Sequence, residues 1–281
     1  MPKFKDFDHL LVPEGKKVRL ARFPTDSTKH LPPRDTADRA TQKAIERLGE
    51  LQDNLYAEGR RSLLVILQGM DASGKDGAVR RVFDAVNPTG VQVISFKQPS
   101  AEELRHDFLW RCHAKVPPRG YIGVFNRSYY EEVLVVRVHA DRLLPPDLYN
   151  QKAEWVLRYR MINAFENLLA DAGTRVIKFF LHISKQEQRT RFIARQKDPR
   201  KHWKLAAGDF SERQFWDDYQ DAYEKMLPET STASAPWYII PADHKWVRNY
   251  YLAHLLVAAL QEMNPQPPEL GDKSLITKRF K

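Results

Sequence analysis

Seven residues carry the most chemistry in this chain: Gly69-Met70-Asp71-Ala72-Ser73-Gly74-Lys75. An apolar run, Leu63 to Leu67, precedes them, and a helical pattern, Ala78 to Phe83, follows. A strand, a glycine loop and a helix at this spacing make a phosphate-binding P-loop. Such a loop turns backbone N–H groups toward one anion, here those of Ala72, Ser73, Gly74, Lys75, Asp76 and Gly77. The helix N-terminus adds its partial positive charge, and Lys75 brings a point charge to the outer phosphates. The expected substrates are phosphoanhydrides. Two residues depart from the common pattern. Asp76 stands where many nucleotide hydrolases carry Ser or Thr to hold Mg²⁺, and Asp71 adds a second carboxylate inside the loop. Both repel a nucleotide triphosphate unless a metal ion lies between, so a plain ATPase is disfavoured.

A second set of candidates follows later apolar runs. Asn126-Arg127 comes directly after Tyr121 to Phe125. P-loop enzymes usually place an acidic residue near the metal at this point. Asn126 can coordinate an ion or orient its water, but without charge, so Asp71 is the candidate for that duty. Arg127 suits a bidentate clamp on phosphate oxygens; the plainer alternative is an ion pair with Glu131 or Glu132. Gln188, Arg191 and Arg195 share one face of a helix, which points two guanidinium groups at one anion. From Lys185 to Lys204, only Glu187 and Asp198 oppose Lys185, Arg189, Arg191, Arg195, Lys197, Arg200, Lys201 and Lys204. A basic helix ending in the polar tip Asp198 to Lys204 has the layout of a lid, which excludes water during phosphoryl transfer; the plainer alternative is a solvated basic face. His113, His139 and His182 form no zinc pattern and read as structural. Ser128 has no evident His partner, which disfavours a hydrolase. Asp107 and Arg111 are candidates for the base pocket.

These groups need strands and helices to bring them together. A helix capped by Asp35 or Thr36 is expected through Glu58, with Ile45, Leu48, Leu51 and Leu55 on one face. Strands are expected at 62–67, 91–96, 121–125, 176–183 and 237–240. The P-loop helix should run to Val86, before the turn Asn87-Pro88-Thr89-Gly90. A capping box at Ser100 and Glu103 should open a helix to Ala114. Further helices are expected from Pro145 to Ala170, from Ser184 to Gln196, from Asp209 to Met226, and over 244–262. Strands spaced by helices argue an α/β fold with a parallel sheet covered on both faces. Ligands in such sheets bind beyond the carboxyl ends of the strands, where the P-loop, Asn126-Arg127 and Ser184 all lie. The expected organisation is an arm over 1–34, one domain over 35–262 with a lid at about 185–210, and a tail over 263–281.

The length of 281 residues and 42% hydrophobic content suit one large domain with appendages. No run approaches the ~20 apolar residues needed to span a bilayer, and the first residues lack a signal core. Cys112 stands alone, so no disulfide framework is expected. The expected compartment is the cytoplasm. The net charge of +9 suits a polyanion, whether nucleic acid, anionic membrane or polyphosphate. Mg²⁺ is the expected metal, held by few carboxylates plus phosphates, with Mn²⁺ as its substitute.

Three stretches together resemble the second polyphosphate kinase family. They are Gly69-Met70-Asp71-Ala72-Ser73-Gly74-Lys75-Asp76-Gly77, Phe125-Asn126-Arg127-Ser128-Tyr129-Tyr130-Glu131-Glu132-Val133-Leu134, and Arg191 to Lys204. The resemblance runs from about Leu20 to Gln261. It implies a thymidylate-kinase-like P-loop kinase fold, with a five-stranded parallel sheet sandwiched by helices and a helical lid. It also implies Mg²⁺-dependent, reversible phosphoryl transfer between inorganic polyphosphate and nucleotides, in a homodimer or homotetramer. By that likeness Asp71 would hold Mg²⁺ and orient the attacking phosphate. Lys75 and the loop amides would bind the phosphates in transfer, Arg127 the nucleotide phosphate, and Arg191 and Arg195 the polyphosphate, with Lys204 beside them. Many members carry Asp where this chain has Asn126. Asn126 with Glu131 resembles class III, which phosphorylates both AMP and ADP. Adenine nucleotides are the expected acceptors, with guanine as the alternative base, and neither nucleic acid nor membrane is an expected partner.

Rival readings share the loop. One is a nucleoside monophosphate kinase with ATP as donor. Another is a basic, nucleic-acid-binding P-loop protein, against which stand the concentration of charge on one segment and the lack of an RNP, zinc-finger or helix-turn-helix pattern. An inactive polyphosphate scaffold is a third, opposed by the joint presence of Asp71, Lys75 and Arg127.

Overall fold

Ser62–Gln68 (β1) is buried from end to end, as a central parallel strand covered on both faces must be. The computed structural model describes residues 3–144, 152–272 and 276. β1 lies at the middle of a sheet with Val91–Ser95 (β2), Ile122–Asn126 (β3), Thr174–His182 (β4) and Trp237–Pro241 (β5). The order is β2-β3-β1-β4-β5, and every pairing is parallel. The five-stranded α/β sheet expected from the sequence is therefore present. The connection leaving β1 runs toward β2, and the one leaving β4 runs the opposite way, toward β5. A crevice opens between two such strands at their carboxyl ends.

Alternation along each strand divides the core in two. Leu63, Val65 and Leu67 of β1 pack with Arg34–Glu58 (α1), Lys75–Val82 (α2) and Lys245–Met263 (α6). Leu64 and Ile66 face Lys152–Asp171 (α3) and Trp216–Thr230 (α5). The basic helix Lys185–Lys197 (α4) follows β4. Before α1 the chain touches β5: Leu11 bridges Tyr238 and the Val12 N–H donates to the Trp237 carbonyl at 2.9 Å. Among the described residues no helix is long and apolar enough to cross a membrane.

The α1 face formed by Ile45, Leu48, Leu51 and Leu55 is buried as expected. Three helices differ. α2 ends at Val82 rather than Val86. The capping box at Ser100 and Glu103 forms both of its hydrogen bonds, 2.7 and 3.2 Å, yet no helix runs on to Ala114. A 3-10 turn over Glu103–Arg105 and a separate helical turn over Trp110–His113 replace it. Between them the Asp107 carboxylate accepts from the Leu109 N–H at 3.0 Å, a local bond that competes with helix. The run expected from Asp209 to Met226 is broken into Ala207–Glu212, a 3-10 turn and α5. The start expected for α3 at Pro145 lies outside the described residues.

Inside the second core layer lies one charged pair. The Lys178 ammonium on β4 donates to Glu166 Oε2 at 2.5 Å, to Tyr130 Oη at 2.8 Å and to the Thr230 carbonyl at 2.5 Å. The Tyr129 and Tyr130 hydroxyls donate to Glu166 Oε1, each at 2.8 Å. Both charged side chains are fully buried.

Candidate active site

The loop after β1 is held by its carbonyl groups. Lys75 Nζ turns back and donates to the Gly69 and Met70 carbonyls at 2.6 and 3.3 Å. Gln188 Nε2 donates to the Asp71 carbonyl at 3.0 Å. Arg191 Nη1 donates to the Ala72 and Ser73 carbonyls at 3.0 and 2.9 Å, and Arg248 Nη1 to the Gly74 carbonyl at 3.1 Å. In a trans peptide the N–H points opposite to the C=O. Fixing the carbonyls of Asp71, Ser73 and Gly74 therefore turns the N–H groups of Ala72, Gly74 and Lys75 to the other side. The loop is bent for this: Ala72 has φ 61° and Gly74 φ 99°, a left-handed region that glycine enters without penalty. A concave row of N–H groups with a helix start behind it binds anions.

The strand ends bring charge to this loop. Arg127, also left-handed at φ 65°, donates Nη2 to Asp71 Oδ1 at 2.6 Å and Nη1 to Glu131 Oε2 at 3.4 Å. The Arg127 and Asp71 side chains keep 39% and 28% exposure. Ion pairs that open to solvent are worth about 0–1 kcal/mol, so a phosphate can take this guanidinium at little cost. Glu131 is steadied by Gln68 Nε2 at 3.0 Å. Asn126 Nδ2 donates to Asp76 Oδ1 at 2.8 Å, and Lys204 reaches Asp76 Oδ2 at 3.4 Å. Partial burial pushes the Asp76 carboxyl up, but the Asn126 hydrogen bond and Lys204 outweigh it and hold the carboxyl below its usual range. Burial and the nearby Arg127 charge lower the Lys75 ammonium to about 8.

Lys204 ends the tip Pro199–Lys204, so the tip folds back onto the first turn of α2. Trp203 beside it is 77% exposed. Asp71, Ala72, Ser73, Gly74, Lys75, Asp76, Gly77, Asn126, Arg127, Glu131 and Lys204 thus gather beyond the carboxyl ends of β1 and β3.

Other candidates sit elsewhere. Arg191 and Arg195 do not point two guanidinium groups at one anion. The five N–H donors of Arg191 meet five acceptors: besides Ala72 and Ser73, these are the Ala242 and Asp243 carbonyls at 2.6 and 2.8 Å, and Glu187 Oε1 at 2.8 Å. The Arg191 guanidinium thus lies behind the loop, not over it. The Arg195 guanidinium lies over the Phe192 ring. Arg111 is buried, donates to the Lys97 carbonyl at 2.8 Å and stacks on Phe96, while the Asp107 carboxylate caps a turn. Neither joins the crevice cluster. His139 pairs with Glu212 at 2.9 Å, and His113 packs its ring against Phe165.

Arg248, on the first turn of α6, was not among the residues singled out from sequence. Its helix reads as an apolar core element, and no local signal marks this arginine.

Among the described residues no three His, Cys, Asp or Glu side chains form a ready metal cage. Asp71 and Asp76 are hard oxygen donors flanking Lys75, with 28% and 64% side-chain exposure. That donor set suits Mg²⁺, which takes one or two carboxylates and shares the rest of its shell with phosphates and water.

Comparison with known proteins gives the same picture. The sequence model described as Polyphosphate kinase 2 matches residues 33–268. An ADP-polyphosphate phosphotransferase of Rhodopseudomonas palustris is 48% identical over 262 residues, 92% of this chain and 91% of that protein. An AMP/ADP-polyphosphate phosphotransferase of Meiothermus ruber is 48% identical over 268 residues, 94% and 97% of the two chains. The crystal structure of Polyphosphate Kinase 2 from Arthrobacter aurescens TC1 superposes with a TM-score of 0.87 at 40% identity, covering 95% of each chain.

Proposed function

The chain belongs to the polyphosphate kinase 2 family, and on that premise we propose that it transfers phosphoryl groups from inorganic polyphosphate to AMP and ADP, forming ADP and ATP. The observation that carries this reading is the P-loop fixed by its carbonyls, with Lys75 and the Asp71–Arg127 pair at its mouth. The loop amides and Lys75 hold the terminal phosphoryl of the donor. Arg127 leaves Asp71 for the nucleotide phosphate. An oxygen of that phosphate attacks the terminal phosphorus in line. The P–O bond to the rest of the chain breaks, and polyphosphate departs one unit shorter with the electron pair. The nucleophile is already an anion, so no general base is required. Catalysis then consists of placement and charge neutralisation. Mg²⁺, or Mn²⁺ in its place, would be held by Asp71 and would neutralise phosphate charge. One phosphoanhydride replaces another, so direction follows concentrations.

The same reading makes the segment to residue 34 an arm, 35–262 the kinase domain with a lid at about 185–210, and 263–281 a tail. We take the enzyme as a cytoplasmic homodimer or homotetramer, as its family suggests; light scattering on the purified protein reads the assembly.

The direct test is ATP formation from AMP, polyphosphate and Mg²⁺ with no ATP added. ATP accumulates on this reading. ADP alone restricts the acceptor to AMP, and product formed only with ATP as donor transfers the assignment to a nucleoside monophosphate kinase. A second test concerns Asn126. The substitution N126D sets a carboxylate in place of the amide that donates to Asp76 at 2.8 Å. Repulsion between the new, buried carboxylate and the exposed one of Asp76 costs about 1–2 kcal/mol without metal. The expected Tm loss is about 3–6 °C in EDTA, recovered in Mg²⁺. Equal Tm in both buffers would show that no ion reaches this pair.

A further inference from the structure

We propose that Arg248 is a positioning residue that holds the P-loop in its anion-binding shape from behind; this rests on the phosphate-binding reading of that loop. The residue is only 2% exposed. It donates to the Gly74 carbonyl at 3.1 Å and otherwise to Asn249 Oδ1 at 3.2 and 2.8 Å. Among the described residues no carboxylate forms a salt bridge with it. A buried charge ordinarily comes with a counter-charge. Here the nearest influence is a like charge: burial first, and Arg191 second, lower this guanidinium to about 10.

Two cations therefore press on the outer side of one loop, Arg191 on the carbonyls of Ala72 and Ser73 and Arg248 on that of Gly74. Each peptide so gripped presents its N–H end to the opposite side. Arg248 thus acts on phosphate through the Gly74–Lys75 peptide. It orients that N–H and, by polarising the carbonyl, makes the N–H a stronger donor. The anion it lacks is the phosphate on the far side of the backbone.

The contact also gives Gly74 a second reason to be glycine. A Cβ at this position would lie 2.1 Å from Arg248 Nη1 and 3.3 Å from Arg191 Nη1. The missing side chain lets the guanidinium reach the backbone, in addition to allowing φ 99°.

The test compares wild type, R248M and R248K by Tm, by calorimetric Kd for tripolyphosphate, and by kcat for transfer from polyphosphate to AMP. R248M removes the donor and an uncompensated buried charge together. Its Tm is expected within about 3 °C of wild type, with tripolyphosphate bound at least tenfold more weakly and kcat down at least tenfold. R248K restores charge without the planar fork and should recover part of the affinity. R248M with wild-type Kd and kcat overturns the proposal. So does a large Tm loss with unchanged Kd, which marks a merely structural side chain. If R248M does not fold, the ratio of Kd between R248K and wild type decides: threefold or more in favour of wild type supports the role, and equality overturns it. Wild-type protein that binds tripolyphosphate yet makes no nucleotide rejects the functional reading while the Kd comparison still judges the clamp.

Discussion

Replacing Lys75 by methionine is expected to lower kcat/KM for phosphoryl transfer by about 10²–10³-fold or more while the protein stays folded. Removing one preorganised donor from an active site has that effect in other enzymes, and this donor carries a full charge. In the free protein the ammonium bonds, among the described residues, only to the Gly69 and Met70 carbonyls, so its loss frees no buried carboxylate there. Near-normal activity in K75M would remove the loop from the mechanism. The same residue sets a pH dependence. Its pKa is lowered to about 8 by burial and then by Arg127, and kcat/KM reports groups of the free enzyme. The kcat/KM for polyphosphate should fall about tenfold per unit above pH 8. Bound phosphate favours the charged form, so kcat should hold to higher pH. For stability the sign is opposite: between about 8 and 10.5 the unfolded chain holds the proton that folded Lys75 releases, so the Lys75 contribution rises with pH across that window. A flat kcat/KM profile to pH 10 would show that Lys75 is not the group being titrated.

Substituting Glu166 by alanine should destabilise the fold by about 3–5 kcal/mol, which lowers Tm by roughly 10 °C. The carboxylate accepts from Lys178, Tyr129 and Tyr130 in a fully buried pocket. Its removal leaves a cation whose charged form burial already disfavours. The double variant E166L/K178M should recover only part of the loss. It removes both charges, but the hydroxyls of Tyr129 and Tyr130 and the Thr230 carbonyl lose partners in the same pocket. Thermal unfolding of the two variants checks this. A Tm unchanged in E166A would mean that water replaces the carboxylate without cost. The contrast with Asp71–Arg127 is one of burial: the exposed pair can separate for substrate, while the buried pair fixes the core.

Elements written in local pattern were legible from sequence. The run Leu63 to Leu67 with its glycine loop, the α1 stripe and the Ser184 cap of α4, whose hydroxyl accepts from the Glu187 N–H at 3.0 Å, depend on near neighbours. So did the convergence of the P-loop with Asn126-Arg127, which follows from strand ends in a parallel sheet. What could not be read depends on partners far along the chain. Arg191 reads from its spacing with Arg195 as a lid arginine facing an anion; its donors instead meet carbonyls more than fifty residues before and after it in sequence. Arg248 sits in a helix whose apolar pattern reads as core, and only Gly74 gives it a role. Lys178 sits between Val176-Ile177 and Phe179-Phe180, and nothing near it names Glu166. The helix expected over 100–114 gives way to extended backbone at His106, and beyond it Asp107 accepts from the Leu109 N–H to start a separate turn.

The place of β1 in the sheet has a consequence for synthesis on the ribosome. β1 is made early, yet its two hydrogen-bonded neighbours are β3 and β4, so it is flanked on both sides only once residue 182 has emerged. The loop at its end waits longer still. Its outer grips come from Gln188 and Arg191, and finally from Arg248 on α6. With chain growth at about 5–20 residues per second, the anion cradle is assembled roughly ten seconds or more after its own residues are joined. A nascent chain therefore carries the P-loop sequence without the shape that grips phosphate until Arg248 has been made and has reached Gly74.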